Sequence, residues 1–129
     1  MAELRQTILV VDDLESNRYV VCRILDSANY NTVEAATGTD AIQKAVLVHP
    51  DAIILDMNMP DQNGLETLRQ LREKPETALI PVLFLSAIAQ SASDRSRGEA
   101  LGASAYLFSP VQANTLLSVI KGIIERGVE

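Results

Sequence analysis

Apolar and polar positions along the chain switch between two patterns. Three nearly continuous apolar runs, Thr7-Ile8-Leu9-Val10-Val11, Ala52-Ile53-Ile54-Leu55 and Val82-Leu83-Phe84-Leu85, have the composition of strands covered on both faces. The segments between them repeat apolar residues at helical spacing. Val20, Val21, Ile24 and Leu25 form one stripe over residues 16–28, and Ala41, Ile42 and Ala45 face inward over 38–48, which stops before Pro50. Leu65, Leu68 and Leu71 mark 63–74, which Pro75 ends because it lacks the amide proton a helix interior needs. A last helix is predicted over 112–126, with Leu116, Leu117, Ile120, Ile123 and Ile124 on its inner side. Short runs at Asn31–Ala35 and Ala105–Phe108 read as two further strands. Residues 91–101 are rich in serine and charge, with little apolar periodicity before Ala100 and Leu101, and predict a lightly anchored fourth helix. Strands alternating with helices in this way give an α/β domain of βαβ units around a parallel sheet, one domain over 7–126 with short tails at 1–6 and 127–129.

That arrangement gives three acidic residues a common address. Asp12 and Asp13 close the first run, and Asp56 closes the third. If those strands are parallel neighbours, the carboxylates meet at the carboxyl edge of the sheet, where open α/β sheets bind ligands. Carboxylates held that close repel one another and stay ionised at neutral pH only if a cation or several hydrogen bonds offset the repulsion. An oxygen-only set suits Mg²⁺. Local readings compete with this one. Asp12 and Asp13 could simply cap the first helix, Asp56 could be an ordinary loop acid, and Pro60 and Gly64 could do no more than shape the turn after it. Ser86 ends a strand, Tyr106 reads as a half-buried strand aromatic, and His49 beside Pro50 reads as a surface residue without chemistry.

Composition narrows the function classes. At 129 residues and 47% hydrophobic, the chain can bury one core and has no room for a second domain of ordinary size. The net charge is −6 and the 11 Lys+Arg are scattered, so there is no basic stripe to neutralise nucleic-acid phosphates. No apolar run approaches a membrane span, and the N-terminus lacks a signal peptide's pattern. A lone cysteine, Cys22, forms neither an internal disulfide nor a cysteine metal site. The expectation is a cytoplasmic protein with no direct contact to nucleic acid or membrane.

Over essentially its whole length the chain resembles the receiver domain of two-component response regulators, the CheY-like family. The resemblance is carried by Val10-Val11-Asp12-Asp13, by Ile54-Leu55-Asp56-Met57-Asn58-Met59-Pro60-Asp61-Gln62-Asn63-Gly64, by Leu85-Ser86-Ala87 and by Gly102-Ala103-Ser104-Ala105-Tyr106, in that order. It implies a doubly wound, five-stranded (βα)5 flavodoxin-like fold with strand order 2-1-3-4-5, an order taken from the family and not read from the residues. It also implies that Asp56 is the phosphoacceptor, since a carboxylate can attack phosphorus and form an aspartyl-phosphate. Mg²⁺ would be held directly by Asp13, largely through water by Asp12, and by Asp56 and the Asn58 backbone carbonyl. The Ser86 hydroxyl and the Ala87 amide would donate to phosphoryl oxygens, and Tyr106 would be the aromatic whose rotamer follows Ser86. The implied donor is the phosphohistidine of a sensor histidine kinase or phosphotransfer protein. The implied output is a downstream protein on the face formed by the predicted 91–101 helix, the fifth strand and the last helix, with a homodimer also compatible. Such a domain is a phosphorylatable switch with self-catalysed phosphotransfer and is not an enzyme with an external substrate.

One position departs from the family. Its members carry a lysine just before the proline that follows the fifth strand, and this chain reads Phe108-Ser109-Pro110. Lysine supplies a long point charge able to pair with Asp56 and then with the phosphoryl group, whereas serine is short and neutral. Val111, where phenylalanine is frequent, is a milder departure. Lys44, Lys74 and Lys121 are expected on helices away from the strand ends, which leaves Arg95 as the candidate replacement cation. The departure keeps a second reading open, an atypical pseudo-receiver that binds partners without phosphorylation. Enzyme readings fit less well: Asp12-Asp13-Leu14-Glu15 is acidic where a flavodoxin phosphate loop would stand, and Asn58 occupies the place of the second aspartate of a haloacid-dehalogenase-type phosphatase.

Overall fold

The computed structural model describes residues 5–57, 61, 63–86, 96, 99–108 and 110–127. Five parallel strands, β1 (Thr7–Val11), β2 (Asn31–Ala35), β3 (Ala52–Leu55), β4 (Val82–Ser86) and β5 (Ala105–Phe108), form one sheet in the order β2-β1-β3-β4-β5. Helices α1 (Glu15–Ser27), α2 (Gly38–Val48), α3 (Gly64–Glu73) and α4 (Ala113–Arg126) connect and cover it. The predicted strand order and element boundaries hold to within one residue. The helix predicted over 91–101 lies largely outside the described residues, although Ser96, Glu99 and Ala100 are helical.

The register aligns Val11 with Leu55, Leu55 with Phe84 and Phe84 with Tyr106, so one row of side chains crosses the sheet just below its carboxyl edge. These four pack with Ile42, Ala45, Leu68 and Leu71 in the layer under α2 and α3. The next row turns to the other face, where Ile54, Leu83 and Leu85 meet Leu25 of α1 and Leu116, Ile120 and Ile123 of α4. Burial on both faces accounts for the unbroken apolar strands. The expected stripe on α1 needs one correction: Val20 is 56% exposed, and the buried face is Val21, Cys22 and Leu25. Burial holds the Cys22 thiol above its ordinary pKa, which keeps it protonated and unreactive.

Local chemistry sets the helix ends. Thr37 caps α2 by accepting from the Asp40 amide at 3.0 Å, and Asn63 caps α3 by accepting from Glu66 at 2.9 Å. α2 ends in the left-handed His49 ahead of Pro50, and α3 ends in extended Lys74 ahead of Pro75. Below α3, Arg72 donates to the carbonyls of Ile80 at 2.8 Å and Gly102 at 3.0 Å, tying the segments that lead into β4 and β5. Gly102 has φ +89, and a Cβ there would come within 3.1 Å of Arg72 Nε, so both backbone conformation and space call for glycine.

Candidate functional site

The chain leaves β1 in one direction to form β2 and later adds β3 on the other side, so the sheet reverses its winding between β1 and β3. Asp12 directly follows β1 and Asp56 directly follows β3. Both are placed by main-chain bonds that continue the ladder, Asp12 N–H to the Ala35 carbonyl at 3.1 Å and Asp56 N–H to the Val11 carbonyl at 3.0 Å. One carboxylate oxygen each from Asp12, Asp13 and Asp56 lies within 4.8 Å of the others. Asp12 and Asp56 are partly buried and Asp13 is exposed. This all-oxygen set at a topological switch point has the chemistry of a hard divalent cation site, and Mg²⁺ suits it.

The capping alternative does not hold for Asp12: the N-cap of α1 is Leu14, no side chain caps it, and the Asp12 carboxylate instead bonds within the turn that precedes the helix. Asp12 Oδ1 accepts from the Leu14 amide at 3.0 Å and its Oδ2 from the Asn17 side chain at 3.2 Å. Burial nevertheless outweighs these bonds, and with the neighbouring Asp13 charge it raises the Asp12 carboxyl above the ordinary range. A metal-free corner therefore holds its negative charge at some cost, which a bound cation offsets.

Ser86 closes β4 beside β3 and is only 3% exposed. Tyr106 is half-buried on β5 and stacks on Phe84, its partner in the register, with centroids 5.3 Å apart. Asn58, Ala87 and Ser109, and with them Arg95, lie outside the described residues. Lys44 needs a correction: it is on α2, but its ammonium reaches the Glu34 carbonyl near the carboxyl end of β2 and pairs with Asp40 at 3.1 Å.

Two supporting residues escaped sequence reasoning. Arg18, on the first turns of α1, donates to the Asp12 carbonyl at 2.7 Å and to Glu34 at 3.0 Å. Asp61, in the loop after Asp56, accepts from the Gly38 and Thr39 amides, both at 3.0 Å, and from the Thr39 hydroxyl at 2.8 Å. Burial pushes the Asp61 carboxyl up, but these bonds together hold it below the ordinary range. Arg18 is the fourth residue of α1 and Asp12 lies outside that helix, so helical spacing alone does not bring them together. Nothing local marks Asp61, whose partners are 22 and 23 residues away.

Between α1 and the start of the last loop lies a groove of about 390 Å³, lined by Asp12, Asn17, Val20, Val21, Leu85, Pro110 and Val111. Among the described residues no helix is long and apolar enough to cross a membrane.

Comparison with known proteins matches this geometry. The sequence model of the family described as response regulator receiver domain covers residues 8–121. Protein PilH of Pseudomonas aeruginosa is 33% identical over 117 residues, which are 91% of this chain and 96% of PilH. The chemotaxis protein CheY4 of Vibrio cholerae superposes with a TM-score of 0.87 at 32% identity, covering 93% of this chain and 99% of its own. The receiver domain of sensor histidine kinase PA1611 from Pseudomonas aeruginosa PAO1, a structure with magnesium coordinated in its active site cleft, has a TM-score of 0.86 at 28% identity and covers 95% of this chain and 99% of its own. With the strand order, the acidic corner and the sequence match in agreement, the chain belongs to the response regulator receiver domains of two-component systems.

Proposed function

We propose that this domain accepts a phosphoryl group on Asp56 from the phosphohistidine of a sensor histidine kinase or phosphotransfer protein and thereby switches a protein-interaction face. The observation that carries the reading is the convergence of Asp12, Asp13 and Asp56 within 4.8 Å at the β1–β3 switch point. An Asp56 carboxylate oxygen forms the new P–O bond while the P–N bond to the donor imidazole breaks, and the imidazole leaves with the electron pair and takes a proton from water. Mg²⁺, when bound, offsets the charge gathered on carboxylate and phosphoryl oxygens. Asp13 would hold it directly and Asp12 largely through water, with Asp56 and the Asn58 carbonyl as further ligands, while Ser86 and the Ala87 amide would donate to the phosphoryl group. The apolar groove beside Asp12 offers the donor protein a seat next to the acceptor. Because Ser86 pairs with Phe108 and Phe84 with Tyr106, a shift of Ser86 is passed to β5 and the face it shares with the last helix. The domain so defined spans 7–126, works in the cytoplasm and turns over no external substrate.

The test is treatment with a small acyl phosphate, with and without Mg²⁺, read by intact mass. The expected result is a gain of one phosphoryl group that needs Mg²⁺ in the millimolar range. In Asp13→Ala the Mg²⁺ requirement rises by about tenfold or more, because Mg²⁺ draws on few protein ligands here. No gain at any Mg²⁺ concentration would overturn the phosphoacceptor reading and leave the interaction module in its place.

The serine before Pro110 has its own expected signature. With no ammonium competing for the same negative charge, the native corner binds Mg²⁺ more tightly than its lysine-bearing variant and couples phosphorylation less strongly to β5. Ser109→Lys is expected to weaken Mg²⁺ binding roughly five- to tenfold and to enlarge the phosphorylation-dependent NMR shifts around Tyr106. Unchanged affinity and unchanged shifts would show that another cation already fills the role.

A further inference from the structure

Among the described residues, Arg18 meets this corner at the Asp12 main-chain carbonyl with its charge paired to Glu34, so it does not compete with a metal ion as an ammonium beside Asp56 would. Arg18 rises from α1 with its side chain only 14% exposed, and its guanidinium spans two acceptors, the Asp12 carbonyl at 2.7 Å and Glu34 Oε1 at 3.0 Å. Asp12 is thereby gripped on both sides of its main chain, by Ala35 through its N–H and by Arg18 through its carbonyl. Its carboxylate is oriented by Leu14 N–H and Asn17, two donors on the same turn that Arg18 closes from outside. Loss of the guanidinium leaves a partly buried carbonyl without its donor and frees the 12–14 turn, and with it the direction of the Asp12 carboxylate. A planar fork holds two acceptors at a set angle, which an ammonium cannot do.

The geometry points to Arg18 as a positioning residue of the acidic corner, acting through the Asp12 main chain on the affinity for Mg²⁺. This inference rests on the metal-binding reading above. Partners at this remove from a metal commonly matter by an order of magnitude or more in affinity. The partner on the other side, Glu34, is half exposed and ties Arg18 to β2, so it separates a structural role from a positioning one.

The experiment is an Mg²⁺ titration of the full chain followed by amide NMR shifts, with hydrogen exchange of the Leu14 amide measured in metal-free protein as a readout independent of the ion. Arg18→Ala is expected to weaken Mg²⁺ binding by about tenfold and to speed Leu14 exchange, because the acceptor on Asp12 is no longer held. Arg18→Lys recovers only part of both, and Glu34→Gln leaves Mg²⁺ affinity within about twofold of native. If Arg18→Ala does not fold, Arg18→Gln carries the same expectation. Native affinity in the Arg18 variants, or an equal loss in Glu34→Gln, overturns the positioning role while the metal site stands. Absence of Mg²⁺ binding in the native chain overturns both readings together.

Discussion

Asp56→Asn is expected to remove phosphate incorporation completely and, in metal-free protein, to raise the melting temperature. The amide keeps the shape of the carboxylate but has no anionic oxygen to attack phosphorus. The stability gain follows from the same geometry: three carboxylates sharing a space of 4.8 Å repel, and neutralising one relieves two of the three pairs. Unit charges about 4 Å apart interact by about 1 kcal/mol in water and about 4 at a dielectric typical of protein surfaces. A net gain of about 1–2 kcal/mol, a few degrees in Tm for a domain of this size, is the expected outcome. Saturating Mg²⁺ should abolish the difference, because the cation offsets the repulsion in the native protein. Intact mass after phosphodonor treatment and calorimetry check the two halves separately. Phosphate retained by the variant would place the acceptor elsewhere, and an unchanged Tm would mean that hydrogen bonds already compensate the corner.

Gly64→Ala is expected to be among the most damaging single-methyl additions in the chain. A Cβ at Gly64 would stand 2.7 Å from the Asp56 carbonyl oxygen, 2.8 Å from Phe84 Cε1 and 2.9 Å from Met57 Cα. Two of these are backbone atoms that cannot rotate away, and the third belongs to a fully buried ring stacked on Tyr106. Overpacking of this kind costs roughly 1–3 kcal/mol, and the upper end applies here, equivalent to a fall in Tm of about 10 °C. The strain also lands on Asp56, the proposed acceptor, whose carbonyl oxygen the new methyl would meet and whose neighbour Met57 accepts the Gly64 amide. Phosphorylation should therefore slow by more than the loss of folded protein explains. A Tm within 2 °C or so of native would show that α3 can retreat from the sheet more easily than this packing implies.

Most of the fold was legible because burial on both faces writes itself into sequence as unbroken apolar runs, as in Ile8–Val11 and Val82–Leu85. The acid corner was legible for a related reason: residues immediately after parallel strands share an edge, which brings Asp12, Asp13 and Asp56 together from the sequence alone. What could not be read is what depends on a side chain's reach. Val20 fits a helical stripe as well as Cys22 does, and only the approach angle of α1 to the sheet decides that valine is left exposed and cysteine is buried. Lys44 sits on its helix as expected, yet four methylenes carry its charge to the end of β2. Asp61 in the motif after Asp56 looks like a turn residue, and its work on the amides of Gly38 and Thr39 appears only when α2 is set beside that loop.

The bonds beneath β5 have a mechanical consequence. The strand is an edge strand, paired on one side only, and its approach is pinned by Arg72 on the Gly102 carbonyl and by the Ser104 amide on Val82. Its far end, Phe108, is 43% exposed and pairs with Ser86. A beam clamped at one end and loaded near the other bends as a cantilever, with displacement growing along its length. If the proposed switch acts at Ser86, Tyr106 lies midway between the Arg72 anchorage and the loaded end, so displacement is expected to be largest at Phe108 and least at that anchorage.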